Sequence, residues 1–300
     1  MSVIYIHIGT HKTGTTSLQH FLGTNKAAML EQGILVPDSG KPDMKRESGN
    51  HRLAWSLLRK NGVDNFDDWN SLKQEMLQAP GAKTVISAEG FCLLEDPGIR
   101  YLRKLLEGNE VYIIVYFRKY KDYLKSVYST QIRNKDTETR KFSAYIMENT
   151  QKIDYNRLLE VLGRNFGYER LIVRLYDEVI ASGGIIRDFT KIIGFDHGNF
   201  EVPEVFLNPS LSDHTTNAIR LLQSFKARSP EKFLSTQMFR KYKRDLIEGQ
   251  PNGSNRILLK LAGNRILKKR HERLIKKIYK KLSTSLLYNY IGDEGLDRLI

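Results

Sequence analysis

The 300-residue sequence predicts an α/β fold built on a mainly parallel sheet. Two observations lead to this prediction. Short apolar runs rich in β-branched residues alternate along the chain with longer segments of helical periodicity, as in a sheet whose parallel strands are joined by helices. The clearest of these runs, 111–117 (VYIIVYF), is apolar or aromatic throughout. Such a run is typical of a central strand covered on both faces.

The elements follow in order along the chain. Residues 3–8 form the first predicted strand, which leads through a Gly/Thr-rich turn into a helix starting at Thr15. Further strands are predicted at 84–87, 111–117 and 171–175, and further helices at 51–59, 119–133 and 184–193. After about residue 208 the strand signals stop. We therefore predict an α/β core over 1–207 and a helical, basic extension over 208–300.

Composition narrows the classes of function. The chain has 48 Lys and Arg against 34 Asp and Glu, a net charge of +14 that favours anionic partners. The single cysteine, Cys92, excludes an intrachain disulfide and a cysteine zinc cluster, and its apolar neighbours indicate a small buried side chain. The N-terminus lacks the pattern of a signal peptide, and no apolar run approaches the ~18 residues of a membrane helix. These features predict a cytoplasmic protein.

The strongest local signal is the segment 9–17 (GTHKTGTTS), which joins the first strand to the first helix. A loop at this position points backbone N–H groups at an anion, and the helix N-terminus adds the positive end of its dipole. Gly9 and Gly14 have the spacing of the nucleotide-triphosphatase loop G-x-x-x-x-G-K-[ST], but Thr15 stands where that loop has lysine. The lysine lies earlier, at Lys12, so the segment predicts a phosphate-binding loop without the usual γ-phosphate lysine.

The segment His11–Ser17 resembles the 5′-phosphosulfate-binding loop of sulfotransferases that use 3′-phosphoadenosine 5′-phosphosulfate (PAPS), usually P-K-[ST]-G-T-T-x-L. A second motif of that family is an arginine at a strand end with a serine eight residues later, and here Arg118 and Ser126 match it. The resemblance implies a P-loop-like three-layer core, PAPS as donor and no required metal. It also implies cofactor-binding roles for nine residues: His11, Lys12, Thr13, Gly14, Thr15, Thr16, Ser17, Arg118 and Ser126.

In such a reaction Lys12 would neutralise the bridging oxygen or the leaving 5′-phosphate, and because the acceptor hydroxyl must lose its proton, a general base is expected near Lys12. Two residues are candidates. His51 opens a helical run and has an imidazole pKa suited to neutral pH, which favours it slightly. Glu89 follows the strand 84–87, at the edge of the sheet where sites form. His7 lies inside the first strand, and we expect it to be packed rather than catalytic.

The leading hypothesis is a PAPS-dependent sulfotransferase that acts on a hydroxyl, such as that of a carbohydrate or glycan. The alternatives are a kinase with an altered P-loop and a basic polyanion-binding protein without enzymatic activity. No nucleic-acid-binding module is recognisable, so we expect no specific nucleic acid. The segment 264–287 has the pattern of a basic amphipathic helix. We expect it to pack on the core with a solvated basic face; an anionic acceptor surface and peripheral membrane contact are the alternatives.

Overall fold

The computed structural model describes residues 1–10, 12–42, 49–59, 66–150, 154–196, 211–228, 234–250, 253–279, 282 and 285–299, with only the backbone at 253, 254 and 285. The strands are β1 Val3–His7, β2 Ile34–Leu35, β3 Lys83–Ser87, β4 Glu110–Phe117 and β5 Leu171–Leu175. The helices are α1 Thr15–Thr24, α2 Lys26–Glu31, α3 His51–Leu58, α4 Asp67–Gln78, α5 Asp96–Leu105, α6 Tyr120–Asn134, α7 Phe142–Glu148, α8 Tyr155–Phe166, α9 Tyr176–Ala181, α10 Ile185–Ile193, α11 Asp213–Arg228, α12 Thr236–Ile247, α13 Gly253–Leu261, α14 Lys269–Tyr279 and α15 Ser285–Leu299.

The five strands form one sheet in the order β2-β3-β1-β4-β5, and every neighbouring pair is parallel. This confirms the predicted α/β fold with a central parallel sheet and a helical C-terminal part. The four predicted strands are all present. Sequence patterns missed β2, because a strand of two residues is too short to show alternation. The single helix predicted over 264–287 is wrong: residues 264–268 lie between α13 and α14, and the helix there is Lys269–Tyr279.

The central strand β1 lies between β3 and β4, which pair with it in register through Ser87 and Ile114 opposite His7. The chain leaves β1 toward the β2–β3 side and later crosses to β4 and β5 on the other side. The carboxyl ends of all five strands meet at one edge of the sheet. An open α/β sheet binds ligands at such a reversal of strand order, so the loop after β1 lies where a ligand site is expected.

Strand β4 is buried on both faces. Ile114 and Tyr116 lie in a cluster with the apolar faces of α1 and α10, while Ile113 and Val115 point to the opposite face and are also fully buried. Burying each such side chain stabilises the fold by roughly 1.5–3 kcal/mol. The continuous apolar pattern of β4 therefore reflects helices packed on both sides of the sheet.

Contacts divide the chain into two compact units. The first comprises Met1–Arg118, Tyr155–Leu207 and Ser283–Leu299, and it contains the whole sheet. The second comprises Lys119–Asp154, Asn208–Leu282 and Ile300, and its described elements are all helical. The predicted boundary between 207 and 208 lies outside the described residues. The assignment of 1–207 to a PAPS-binding core stays a prediction.

Buried polar contacts join α6 to α11 in the second unit. The hydroxyls of Ser129 and Thr216 are 2.9 Å apart. Gln223 Nε2 donates to the carbonyls of Ile132 and Lys135 at 2.9 and 2.7 Å, near the end of α6, where the last carbonyls lack helical partners. Within the part of the chain described, no helix of either unit is long and apolar enough to cross a membrane.

Candidate functional site

The loop after β1 has a tightly curled backbone. Gly9, Lys12 and Gly14 have φ values of 44°, 73° and 73°, and Gly14 caps the N-terminus of α1. Lys12 is the unusual member, because a side chain in the left-handed region costs about 1–2 kcal/mol. Such strain persists only where the surrounding structure holds it, and it is common at ligand-binding sites.

Threonine hydroxyls hold the loop from within. Thr13 Oγ1 donates to the carbonyl of Thr10 at 2.6 Å, and Thr10 Oγ1 donates to the carbonyl of Tyr116 in β4. Both threonine side chains are buried. The hydroxyl of Thr13 therefore stabilises the loop itself. The backbone N–H groups of Thr15 and Thr16, at the start of α1, have no acceptor within the helix and point toward a place where an anion could bind.

Arg118 immediately follows β4 and contacts the loop. Its Nη1 donates to the carbonyl of Lys12 at 3.0 Å, and its guanidinium carbon lies 5.7 Å from the ring centre of Tyr176. Its Nε is buried and has no hydrogen-bond partner in the described part of the chain. The structure therefore brings together two residues that the sequence motifs singled out 106 positions apart.

Ser126, the other member of the second motif, lies on α6 in the helical unit. Its backbone carbonyl accepts a hydrogen bond of 3.0 Å from the Thr130 hydroxyl. The joint contact of Arg118 and Ser126 with a 3′-phosphate stays a prediction. His11 was also predicted to bind the cofactor, and it lies outside the described residues.

Glu89 touches the loop. It begins the 3₁₀ turn Glu89–Leu93, directly after β3, and its carboxylate accepts a hydrogen bond from the Thr15 hydroxyl. A Cβ built on Gly9 would lie 2.7 Å from Thr15 Cγ2 and 3.3 Å from Glu89 Cγ. The positive φ of Gly9 and the contact that a Cβ would make with Thr15 both favour glycine at position 9.

His51 begins α3 and lies near the end of β3. Asn50, the preceding residue, ties this helix start to the strand: its N–H donates to the Ser87 carbonyl at 2.8 Å, and its Oδ1 accepts from the Ser87 N–H at 3.1 Å. The imidazole stacks on Trp55, with ring centres 5.9 Å apart. A Cβ atom built on Gly49 would lie 2.8 Å from His51 Nε2 and 2.6 Å from the side-chain amide of Gln19.

His7 lies beneath the loop and is fully buried, as the sequence predicted for a packed residue. Its Nδ1 is 2.9 Å from Ser87 Oγ, which also accepts from Gln19 Nε2 at 3.2 Å. Burial lowers the pKa of His7 to about 4, and the nearby Glu89 carboxylate opposes this shift. His7 is therefore neutral near pH 7 and adds no positive charge to the site.

Sequence analysis missed Tyr176 and Tyr155. Tyr176 follows β5, and a Cβ atom built on Gly14 would lie 3.5 Å from both its ring and its hydroxyl. Burial raises the pKa of Tyr176, with Arg118 opposing the shift. Tyr155 Oη donates to the Arg118 carbonyl at 3.0 Å. Position just after a parallel strand was an available signal for Tyr176, whereas nothing local to Tyr155 indicated its role.

These residues fit an anionic phosphate group. The curled loop offers N–H groups and the Lys12 ammonium, and Arg118 Nε is a buried donor without an acceptor in the described residues. Among the described side chains, no group of three or more His, Cys, Asp and Glu could hold a metal ion. The cationic and N–H groups of the site suit a phosphate ester.

Comparison with known proteins gave limited similarity. No family model matches the chain. Over 151 residues it is 28% identical to an uncharacterized protein of Archaeoglobus fulgidus; the match covers 49% of this chain and 40% of the relative's length. Among solved structures it is similar to a sulfotransferase from Alicyclobacillus acidocaldarius, with a TM-score of 0.43 and 15% identity over 84% of this chain and 98% of the other.

Proposed function

We propose that the protein is a sulfotransferase that transfers the sulfuryl group of PAPS to an acceptor hydroxyl, such as that of a carbohydrate or glycan. The observation that carries this proposal is the hydrogen bond from Arg118 to the carbonyl of Lys12. It joins the loop after β1 to the end of β4, so two cationic side chains belong to one edge of the sheet. Two phosphate groups of one nucleotide could use the two cations separately.

Transfer of a sulfuryl group requires in-line attack and stabilisation of a leaving phosphate. The donor supplies the sulfuryl group and, once that is lost, leaves as adenosine 3′,5′-bisphosphate. In this proposal the ammonium of Lys12 and the N–H groups of residues 13–16 stabilise the charge on the 5′-phosphate. Arg118 and Ser126 bind the 3′-phosphate. The acceptor oxygen forms its bond to sulfur as the bond from sulfur to the 5′-phosphate oxygen breaks.

We assign the general base to Glu89, with His51 as the alternative. The carboxylate of Glu89 contacts Thr15, inside the loop that would hold the 5′-phosphate. The structure places the imidazole of His51 on the ring of Trp55, and its Nε2 lies close to Gly49. A base must lie within hydrogen-bond reach of the acceptor proton, and this requirement favours the residue that touches the loop. In the reaction Glu89 takes the proton of the acceptor hydroxyl.

Calorimetric titration with adenosine 3′,5′-bisphosphate, and separately with ATP and magnesium, tests the proposed function. We expect tight binding of the bisphosphate without metal and weak binding of ATP. Preference for magnesium-ATP would replace the proposal with a kinase, the second candidate, which the loop spacing of Gly9 and Gly14 also allows. Binding of neither nucleotide would leave a polyanion-binding protein. The variant Arg118→Lys is compared with the wild type in the same titration, because lysine keeps the positive charge but lacks the planar guanidinium group that can bind a phosphate through two hydrogen bonds.

A further inference from the structure

The excess positive charge of the chain belongs entirely to the helical unit. The segments 119–154, 208–282 and 300 contain 27 Lys and Arg against 10 Asp and Glu, a net charge of +17. The remaining segments, which include the sheet and the phosphate-binding loop, contain 21 and 24, a net charge of −3. The excess positive charge is therefore carried by the helical unit and not by the unit that contains the sheet and the loop after β1.

Within the helical unit the charge concentrates on one stretch, residues 255–277, which we term the basic segment. It has one acidic residue, Glu272, and nine basic residues that are all exposed. The nine are Arg256, Lys260, Arg265, Lys268, Lys269, Arg270, Arg273, Lys276 and Lys277. None of the nine forms an ion pair with another described residue, whereas Glu272 lies 3.9 Å from Lys121. A surface of unpaired like charges is destabilised by its own repulsion, and an anionic partner relieves that cost.

Helix α13, within the basic segment, also presents apolar side chains to solvent. Ile257 is 60% exposed and Leu261 is 71% exposed, one helical turn apart. Arg256 and Lys260 are exposed beside them at the same spacing. One face of α13 thus combines two large aliphatic groups with two cations.

This face is not the one that packs against the rest of the helical unit. The backbone of α13 and the turn after it are tied to α11: His214 Nε2 contacts the Leu259 carbonyl, and Asn217 Nδ2 donates to the Gly263 carbonyl. Asn255 and Ala262 are buried at the two ends of the helix. The Ile257–Leu261 face therefore remains available to a partner while the helix stays packed.

We propose that the basic segment binds peripherally to an anionic lipid surface, with Ile257 and Leu261 inserted at the headgroup boundary and the basic residues on lipid phosphates. Amphipathic helices bind membrane surfaces by this combination of buried apolar area and attraction to anionic lipids. A nucleic acid or an acidic polysaccharide would engage the cations but would gain little from two exposed aliphatic side chains. This inference does not depend on the proposed sulfuryl transfer.

Co-sedimentation of the full chain with vesicles tests the inference. We expect the protein to bind vesicles of equal phosphatidylcholine and phosphatidylglycerol, to bind phosphatidylcholine alone far less, and to lose binding as salt rises. The double variant Arg256→Glu/Lys260→Glu should lower the partition coefficient about 30-fold or more. Its control is Lys73→Glu/Lys104→Glu, which changes the net charge equally at exposed positions of the first unit and should have little effect.

The apolar contribution is tested by Ile257→Ser/Leu261→Ser, which should lower partition about tenfold. Leu77→Ser, at another 71% exposed leucine, is its control. Failure of the unmodified protein to bind phosphatidylglycerol vesicles would overturn the proposal. So would vesicle binding that the serine variant leaves unchanged, or capture by duplex DNA or polygalacturonate without capture by vesicles. Failure to bind adenosine 3′,5′-bisphosphate would count against the proposed enzyme activity alone.

Discussion

His7 makes a specific prediction about stability and pH. The residue is buried beneath the loop that follows β1, and burial lowers its pKa to about 4 in the folded protein. In the unfolded chain a histidine has a pKa near 6.5. Below pH 6.5 the unfolded state therefore binds a proton that the folded state does not take up until about pH 4. The contribution of His7 to the free energy of unfolding is fully present above pH 6.5 and is lost as the pH decreases toward 4.

The size of the effect follows from the two pKa values. At pH 5 the histidine is almost fully protonated in the unfolded chain and almost fully neutral in the folded protein. The free energy of unfolding is therefore about 2 kcal/mol lower at pH 5 than at pH 7.5. The full difference at lower pH is about 3 kcal/mol. Carboxylates titrate in part of this range too, so the wild-type curve alone does not isolate His7. The variant His7→Asn isolates it, because every other group titrates in both proteins.

The assay is urea unfolding at pH 7.5 and at pH 5.0, followed by tryptophan fluorescence. Both tryptophans, Trp55 and Trp69, lie in the same unit as His7, so the signal reports that unit. The variant should be less stable at pH 7.5, because a cavity forms and the contact with Ser87 changes. The difference in unfolding free energy between the wild type and the variant should be about 2 kcal/mol smaller at pH 5.0 than at pH 7.5.

A difference in unfolding free energy that stays constant between the two pH values would refute the reasoning. A second measurement tests the same prediction on the wild-type protein and does not require the variant to fold. In the wild-type protein the ¹³Cε1 chemical shift of His7 should stay near its neutral value from pH 8 to pH 5. A midpoint near 6.5 would show that burial does not control the ionisation of His7, whatever the stability of the variant.

Three further predictions concern the proposed reaction, measured as release of adenosine 3′,5′-bisphosphate from PAPS. Lys12→Ala should lower turnover about 100-fold or more at unchanged unfolding free energy; unchanged turnover would contradict its role. Arg118→Ala should lower the affinity for adenosine 3′,5′-bisphosphate, relative to adenosine 5′-phosphate, by about 10- to 100-fold in calorimetry. An unchanged ratio would mean that Arg118 acts only by holding the loop. Glu89→Gln should lower turnover about 100-fold at unchanged bisphosphate affinity, and His51→Gln less than about tenfold; the reverse result would make His51 the base.

The curled loop between β1 and α1 could be predicted because its signals are local. Gly9 and Gly14 allow backbone conformations that other residues avoid, and a strand and a helix flank them in the sequence itself. The same holds for β4, where seven consecutive apolar residues indicate burial on both faces without knowledge of the neighbouring elements. The position of Arg118 after this strand placed it at the binding edge of the sheet.

Other features depend on residues far apart in the chain and had no local signal. The assignment of the general base to Glu89 or His51 stays a prediction, and the contact between Glu89 and Thr15, which lies 74 positions away in the chain, is visible only in the structure. Tyr155 supports Arg118 through a contact that forms only when α8 packs on the sheet. The sequence predicted a basic extension over 208–300, but only the structure shows that the basic unit also includes 119–154 and leaves out 283–299.

The sequence by itself determined the α/β class, the places of four of the five strands along the chain and the position of the glycine-containing loop after β1. Each of these depends on backbone preferences and apolar periodicity within a few neighbouring residues. Only the tertiary structure decided that Arg118 holds Lys12, that His7 is buried deeply enough to stay neutral, and that Ile257 and Leu261 are left exposed. Burial, and contacts between residues distant in the chain, arise when the whole chain packs, and no short pattern specifies them.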